Sequence, residues 1–391
     1  MNGRSTAPHK QKFHFDPIMV AVTVSLLFIG FVMVSSSSLH LGVEQKQDSF
    51  YYPIRQLAHI VLGLGLALGI ARIPMESWEK LGSSLFIAGL FLLVIVLIPG
   101  LGVKVNGSIR WLSIGGLRIQ VSEVVKFFSV IYMAGYVTRH QANLQGSAYG
   151  IIKPLLLFSV ACSLLLMEPD FGSAVVILMI AMGMMFLAGA RLKQFIILLA
   201  LVVALAAALV IVAPYRMARL VSFLDPFRDY LKSGYQLSQA LISFGRGEVL
   251  GVGLGSGIQK LFYLPEAHTD FLFSVIGEEL GLLGVITVIA LYALLIWRAF
   301  SVAVAAEQAG QQFSAFVAYG LGIWLGFQSF VNMGVNMGIL PTKGLTLPLM
   351  SYGGSSMMIM CCAFVLLFRV HSETAALNVE TPTERSKWAS A

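Results

Sequence analysis

Ten stretches of this 391-residue chain are long, apolar and nearly free of charge. A helix that crosses a bilayer needs about 20 such residues. The stretches lie at about 17–37, 56–73, 81–98, 121–138, 151–167, 172–190, 194–213, 270–297, 312–338 and 350–370. Hydrocarbon offers no hydrogen bonds, so a chain with this pattern must close its backbone bonds within helices. The predicted fold is an all-α polytopic membrane protein, a bundle of about ten transmembrane helices. A long outer loop separates the seventh and eighth spans. Composition agrees: 57% of residues are hydrophobic and 12% charged, about half the charged share of a soluble domain. The first span follows a basic start, Met1 to Asp16, and reads as a retained helix and not as a cleaved leader.

The implied organisation is a cytoplasmic N-terminal tail (1–16), a membrane domain (17–370) containing a periplasmic loop (214–269), and a short polar cytoplasmic tail (371–391). An even number of spans puts both termini on one side, and Lys and Arg in the short loops favour the inside. Many other basic residues fall in outer segments, six of them in the long loop. An anionic substrate accounts for that excess. The net charge of +7 is scattered over short loops, which suits membrane headgroups and gives no nucleic-acid patch. Cys162, Cys361 and Cys362 sit in apolar runs and read as small buried hydrophobes. The chain holds no Walker motif, dinucleotide fingerprint, HExxH or spaced Cys/His zinc site.

Two outer segments are too patterned for plain connectors: Pro99 to Gln120, and Ala213 to Thr269. Within the second, Gln236 to Phe244 is predicted to form an interfacial amphipathic helix. The last outer loop, Gly338 to Gly354, is rich in Gly and Pro and must be covered by protein or line a cavity.

Asp270 stands where the polar, Gly-rich run gives way to the eighth span. Alone it reads as a helix cap. Glu266, His268, Glu278 and Glu279 share its segment, and acids this close to hydrocarbon usually face a cavity. Glu123 and Lys126 are spaced to share one helix face. They either neutralise each other locally, or Lys126 crosses the bundle to orient Asp270 or meet a phosphate. Arg110, beside Trp111, is either an interfacial anchor or a bidentate phosphate ligand. Glu168 and Asp170 flank Pro169 between spans five and six. They are either simply solvated or hold a divalent cation such as Mg against a pyrophosphate. Lys343 is surface charge or a phosphate contact. Ser351, with Gly353 and Gly354, is a weak candidate for an anion nest.

Four stretches then carry a resemblance: NGSIRWLSIGGLRIQVSEVVK, MEPDFGSA, GYQLSQ through LPEAHTDFLFSVIGEELG, and GILPTKGLTLPLMSYGGSS. In order and content they resemble the SEDS family (shape, elongation, division and sporulation). The Thr342-Lys343 pair is similar to the family's division branch. Val121 departs from the Pro usual before Ser-Glu. The resemblance implies a peptidoglycan glycosyltransferase of the bacterial inner membrane, at the division septum, that polymerises lipid II into glycan strands. The implied partners are the nascent lipid-linked glycan, a septal class B penicillin-binding transpeptidase (FtsI), and FtsQ, FtsL and FtsB. The family's essential aspartate falls on Asp270, and its fourth-helix Glu and Lys on Glu123 and Lys126. The expected reaction is an inverting transfer with Asp270 as general base, supported by Lys126, Glu123, Arg110, Lys343, Ser351 and His268. A lipid II flippase and a non-catalytic divisome scaffold are the rival readings.

Overall fold

A computed structural model describes residues 13–388, apart from 106–107, 229 and 231–233. Its helices are α1 (Pro17–Lys46), α2 (Tyr51–Ile70), α3 (Met75–Leu97), α4 (Val121–Gly146), α5 (Ala148–Met167), α6 (Phe171–Leu187), α7 (Leu192–Val212), α8 (Pro214–Leu224), α9 (Tyr235–Gly247), α10 (Leu272–Gln308), α11 (Gln312–Asn336) and α12 (Gly354–Trp388). Among the described residues, nine helices are long and apolar enough to span a membrane. The shorter apolar α6 supplies the tenth predicted place. It is short because Asp170 caps its start and Gly189, at φ 82°, follows its end.

The bundle has a centre and a rim. α4 and α11 are mostly buried; α4 packs on α3, α5, α6 and α11, while α11 packs on α10, α6 and α12. α7 lies at the other extreme. No residue of its apolar window is buried, and its main contacts are α6 and the amphipathic α8. A helix apolar all round with no protein cover suits hydrocarbon on every side. The three cysteines are buried and unpaired.

Asp16 caps α1 through Ile18 N and Met19 N and pairs with Arg298 of α10. His14 N donates to Ser372 Oγ of α12 at 3.0 Å. His14, Asp16, Arg298 and Ser372 therefore lie together at one end of the bundle. α12 continues through Val370 without a break, and Ser372 and Thr374 are buried.

The opposite, far end holds a feature the sequence reading did not anticipate. Three strands, β1 (Gly102–Val105), β2 (Ser108–Ile114) and β3 (Leu117–Gln120), form an antiparallel sheet in that order. Gly115 and Gly116 connect β2 to β3 with φ of 59° and 84°. Two successive positive φ values match the twist of a two-residue hairpin, and glycine adopts them without strain. α9 occupies the interfacial stretch expected to be helical. α8 was not expected.

α10 is two helical pieces. Gly281, at φ 63° and ψ −162°, breaks it. The loop after α9 closes the break: Leu282 N donates to Glu248 O and Leu283 N to Val249 O, while Val252 N and Gly253 N donate to Glu278 O and Glu279 O. The two acids hold the same loop. Glu278 accepts from Ile258 N at 3.0 Å and Gln259 N at 3.2 Å. Glu279 accepts from Gly255 N, Ser36 Oγ and Lys260 Nζ. Ser36 is 20 residues from Asp16, about 30 Å along α1. The break thus lies one bilayer thickness from Asp16, and the piece Leu272–Leu280 stands beyond it.

Gly281 occupies backbone space that is essentially closed to other residues. A Cβ there would lie 2.3 Å from Gly251 N and 2.6 Å from Val249 O. Gly281→Ala is expected to destabilise the protein by about 2–4 kcal/mol, read as a lowered melting temperature in detergent.

Candidate active site

Asp270 lies in the turn just before the piece Leu272–Leu280. Its backbone is clamped and its side chain is not. Asn332 and Asn336 of α11 each donate Nδ2 to the Asp270 carbonyl at 2.9 Å. Asn332 also donates to Leu345 O, and Asn336 Oδ1 accepts from Ser274 N and Oγ. Among the described residues no protein hydrogen bond reaches the carboxylate. Gly344 is its close neighbour: a Cβ at 344 would lie 3.0 Å from Oδ2. The carboxyl keeps partial contact with solvent at the bottom of a largely protein environment. Burial lifts its pKa to about 7; Glu266 and Asp170 push the same way, and Arg110 and Arg219 oppose them.

Arg110 and the α5–α6 turn form one wall. Arg110, on β2, donates to Glu168 O at 3.2 Å and Pro169 O at 2.6 Å, and lies 3.9 Å from Asp170 Oδ1. Asp170 caps α6 through Ser173 N and accepts from Ser173 Oγ and Ser122 Oγ at 2.9 Å, with Gln120 Nε2 at 3.4 Å. Glu168 is fully buried, and neither carboxyl oxygen has a protein partner. Burial raises its pKa to about 8; Asp170 adds to the rise and Arg110 opposes it. At neutral pH it is largely the uncharged acid.

Glu168 and Asp170 do not make a cation cage. Asp170 is occupied as a cap, and no group of three His, Cys, Asp or Glu is placed to share a metal among the described residues. The residues present do not fit a dedicated divalent site of the kind that needs several protein oxygens.

Lys343 lies over the Phe171 ring, 4.3 Å from its centroid, beside the start of α6. His268 carries the chain into the second wall. Its carbonyl accepts from Tyr352 N at 2.9 Å, and its ring lies 5.1 Å from Tyr52 and 5.4 Å from Tyr352. Burial holds its imidazole pKa below the usual value, against the pull of Glu266. Ser351 is turned away from Asp270: its Oγ accepts from Leu347 N, and its own N–H donates to Leu347 O.

Glu123 and Lys126 form the expected pair, Nζ to Oε1 2.8 Å, with Lys126 wholly buried. Lys126 does cross to another helix, but its target is Gln328 Oε1 of α11 at 3.0 Å. Gln328 in turn donates to Thr346 O, close to Gly344 in the same loop.

Four contributors escaped the sequence reading. Gln328, Asn332 and Asn336 recur every four residues in an apolar run, a polar stripe on one helix face that the spacing could have exposed. Arg219, exposed on α8, carries no such signal, because its approach to Asp270 depends on where α8 packs.

The fold and this cluster define a polytopic membrane protein with a polar side-chain cluster at the end of the bundle away from Asp16. Residues 17–376 match the family described as "Cell cycle protein" (FTSW_RODA_SPOVE), and the chain belongs to that family, the SEDS proteins. A relative from Methylomonas methanica named "Probable peptidoglycan glycosyltransferase FtsW" is 65% identical over 94% of this chain and 95% of its own length. One of the same name from Methylococcus capsulatus is 58% identical over 93% and 92%. A solved structure described as "Structural coordination of polymerization and crosslinking by a peptidoglycan synthase complex" superposes with TM-score 0.77 at 30% identity, covering 93% of this chain and 99% of that one. The rod shape determining protein RodA of Thermus thermophilus gives TM-score 0.67 at 27% identity, covering 91% and 96%.

Proposed function

We propose that this protein is a peptidoglycan glycosyltransferase that polymerises lipid II into glycan strands for septal wall synthesis, with Asp270 as general base. The observation that carries the catalytic part is the Asp270 carboxyl: partly desolvated, clamped only through its backbone, and within the electrostatic reach of Arg110 and Arg219. The names of the relatives support the reaction class. The protein sits in the inner membrane with both termini cytoplasmic, and the far end of the bundle faces the periplasm. Its partner is a septal class B transpeptidase, with FtsQ, FtsL and FtsB as activators.

The chemistry joins two lipid-linked sugars. The 4-hydroxyl oxygen of the acceptor attacks the anomeric carbon of the donor, and its proton passes to Asp270. The bond from that carbon to the pyrophosphate oxygen breaks, and the lipid pyrophosphate leaves with its electron pair. Arg110, Arg219 and Lys343 stabilise the growing negative charge. The prenyl tails stay in the bilayer, beside a bundle rim that α7 leaves loosely closed.

The test is glycan synthesis by the purified protein with its transpeptidase partner, with lipid II supplied on the accessible face only. Polymer formation supports the enzyme. Transport without polymer would support a flippase, and partner binding alone a scaffold. Because the base must be ionised, kcat/KM is expected to fall as pH drops through about 7. An acid limb near pH 4 would return the Asp270 carboxyl to its ordinary range and overturn its raised pKa, whereas an Asp270→Asn protein that kept the wild-type rate and acid limb would remove Asp270 from the role of base.

A further inference from the structure

The far end of α2 carries a second polar group that the reaction centre above leaves unused. Tyr51, Tyr52, Arg55 and His59 lie along its first turns. The Tyr52 and Tyr352 rings are 5.4 Å apart, and both meet His268. The His59 ring lies 6.1 Å from Tyr352, and its Nδ1 is buried without a protein partner. Arg55 is exposed, lies 4.6 Å from the Tyr51 ring centroid and also faces the Tyr352 phenol. Lys46 approaches the other side of this group, 5.5 Å from the same Tyr51 ring. Among the described residues neither cation has a carboxylate within ion-pair distance.

Aromatic residues at a membrane interface are often plain anchors in the headgroup layer. These rings do something else. Tyr52 meets His268 and Tyr352 edge to face, Tyr352 tilts against His268, and His268 lies two residues from Asp270. The result is a cluster of rings with apolar faces and polar edges, with His268, two residues before Asp270, on one side and an exposed guanidinium on the other.

The chemistry requires a place of this kind. Glycosyl transfer between two lipid-linked sugars brings two diphosphates to one enzyme. The donor's diphosphate is the leaving group, so it must adjoin the reacting carbon. The positive charges of Arg110 and Arg219 are felt at Asp270 and fit that role. The acceptor's diphosphate survives the reaction and lies two sugar rings from the attacking hydroxyl. It needs its own cation, set back from Asp270 along a sugar-binding path.

We propose that the face formed by Arg55, Tyr52, His268 and Tyr352 is the acceptor subsite, with Arg55 holding the acceptor's own diphosphate and the three rings holding its sugars. This rests on the glycosyltransferase reading. Lys46 adds to the positive field at the mouth. The two lipid tails then enter the bilayer at separate lines, the acceptor's beside α2 and the donor's beside α7 and α8. A fixed acceptor site also sets which end of the strand grows: the hydroxyl presented to Asp270 always comes from the molecule anchored at Arg55.

Two single-role probes separate the subsites in the full protein with its transpeptidase partner. Lipid II with a capped 4-hydroxyl serves only as donor. Lipid II with a non-cleavable phosphonate at the anomeric carbon serves only as acceptor. Each is varied with the other saturating, and single coupling is measured. Arg55→Gln is expected to raise the acceptor KM about tenfold, the loss of one charge-assisted contact, with donor KM and kcat within about twofold of wild type. Arg55→Lys keeps the charge and is expected to recover the acceptor KM to within about threefold. Arg110→Gln is expected to give the converse, a raised donor KM. An unchanged acceptor KM in Arg55→Gln, or equal rises in both KM values, overturns the subsite while leaving the glycosyltransferase standing. Failure of the wild-type complex to couple the probes brings both readings down.

Discussion

Asp270→Asn is expected to lower glycan synthesis by about 10²–10⁴-fold, the usual worth of a positioned general base, while making the protein more stable at neutral to alkaline pH. Both halves come from one environment. Asn has the shape of Asp, and the clamp from Asn332 and Asn336 grips only the backbone carbonyl, so the turn survives the change. The wild-type carboxyl has its pKa raised from 3.8 to about 7, chiefly by burial. For an acid, a raised folded-state pKa means that ionisation opposes folding. The full stability is present below about pH 4 and is lost as pH rises through about 7. A neutral amide removes that loss, which linkage puts at up to about 4 kcal/mol. The gain over wild type should therefore shrink as pH falls toward 4 and vanish below it. Activity lost together with stability gained is the signature of a residue kept for chemistry at the fold's expense. Melting curves at several pH values and a polymerisation assay read the two effects separately. Normal glycan synthesis by the Asn protein would end the base assignment.

The helices were legible because membrane spans are the longest signal a sequence carries. Segments outside the spans were harder to read. The sheet at 102–120 did leave traces: Val103, Val105, Ile109 and Trp111 alternate with polar residues, and Gly115-Gly116 marks a tight hairpin. Four-residue strands are too short to stand out from a loop. The broken α10 misled in a more useful way. Glu278 and Glu279 looked like acids sunk in a span, because the apolar run continues past them. Gly281 ends the first piece, and the acids hold the backbone of residues 255–259 together with Lys260. The hints were a glycine two residues behind an acid pair and a Gly-rich loop upstream with one lysine. Asp270 could be singled out as the residue at the polar-to-apolar switch. The influence of Arg219 on it could not, since no periodicity reports where α8 packs.

Those same limits bear on Lys126, where the expected effects are large and separable. Spacing alone gives the pair with Glu123; the structure adds that Lys126 is wholly buried, bonds Gln328 and lies 5.5 Å from the Trp324 ring. Trp324 Nε1 also donates to Gln328 Oε1. With no exposed surface, Lys126 does not meet substrate here. It fixes Gln328, whose Nε2 holds Thr346 O; one turn along α11, Asn332 holds Leu345 and Asp270. Lys126→Met leaves the Glu123 charge buried without its partner, which is expected to cost about 3–5 kcal/mol. Glu123→Gln strands the lysine in the same way. The double variant Glu123→Gln/Lys126→Met removes both charges and is expected to return to within about 1–2 kcal/mol of wild type, since neutral replacements spare the desolvation of both ions. Activity is expected to separate from stability. In the double variant Gln328 keeps Trp324 but loses the lysine, so the loop beside Asp270 loosens and kcat falls while the KM for lipid II holds. A lysine that instead bound the diphosphate would raise KM in every variant lacking it. Thermal melts of the three variants beside their kcat and KM values decide the matter, and a double variant as unstable as either single one would mean that the pair is not held together by its charges.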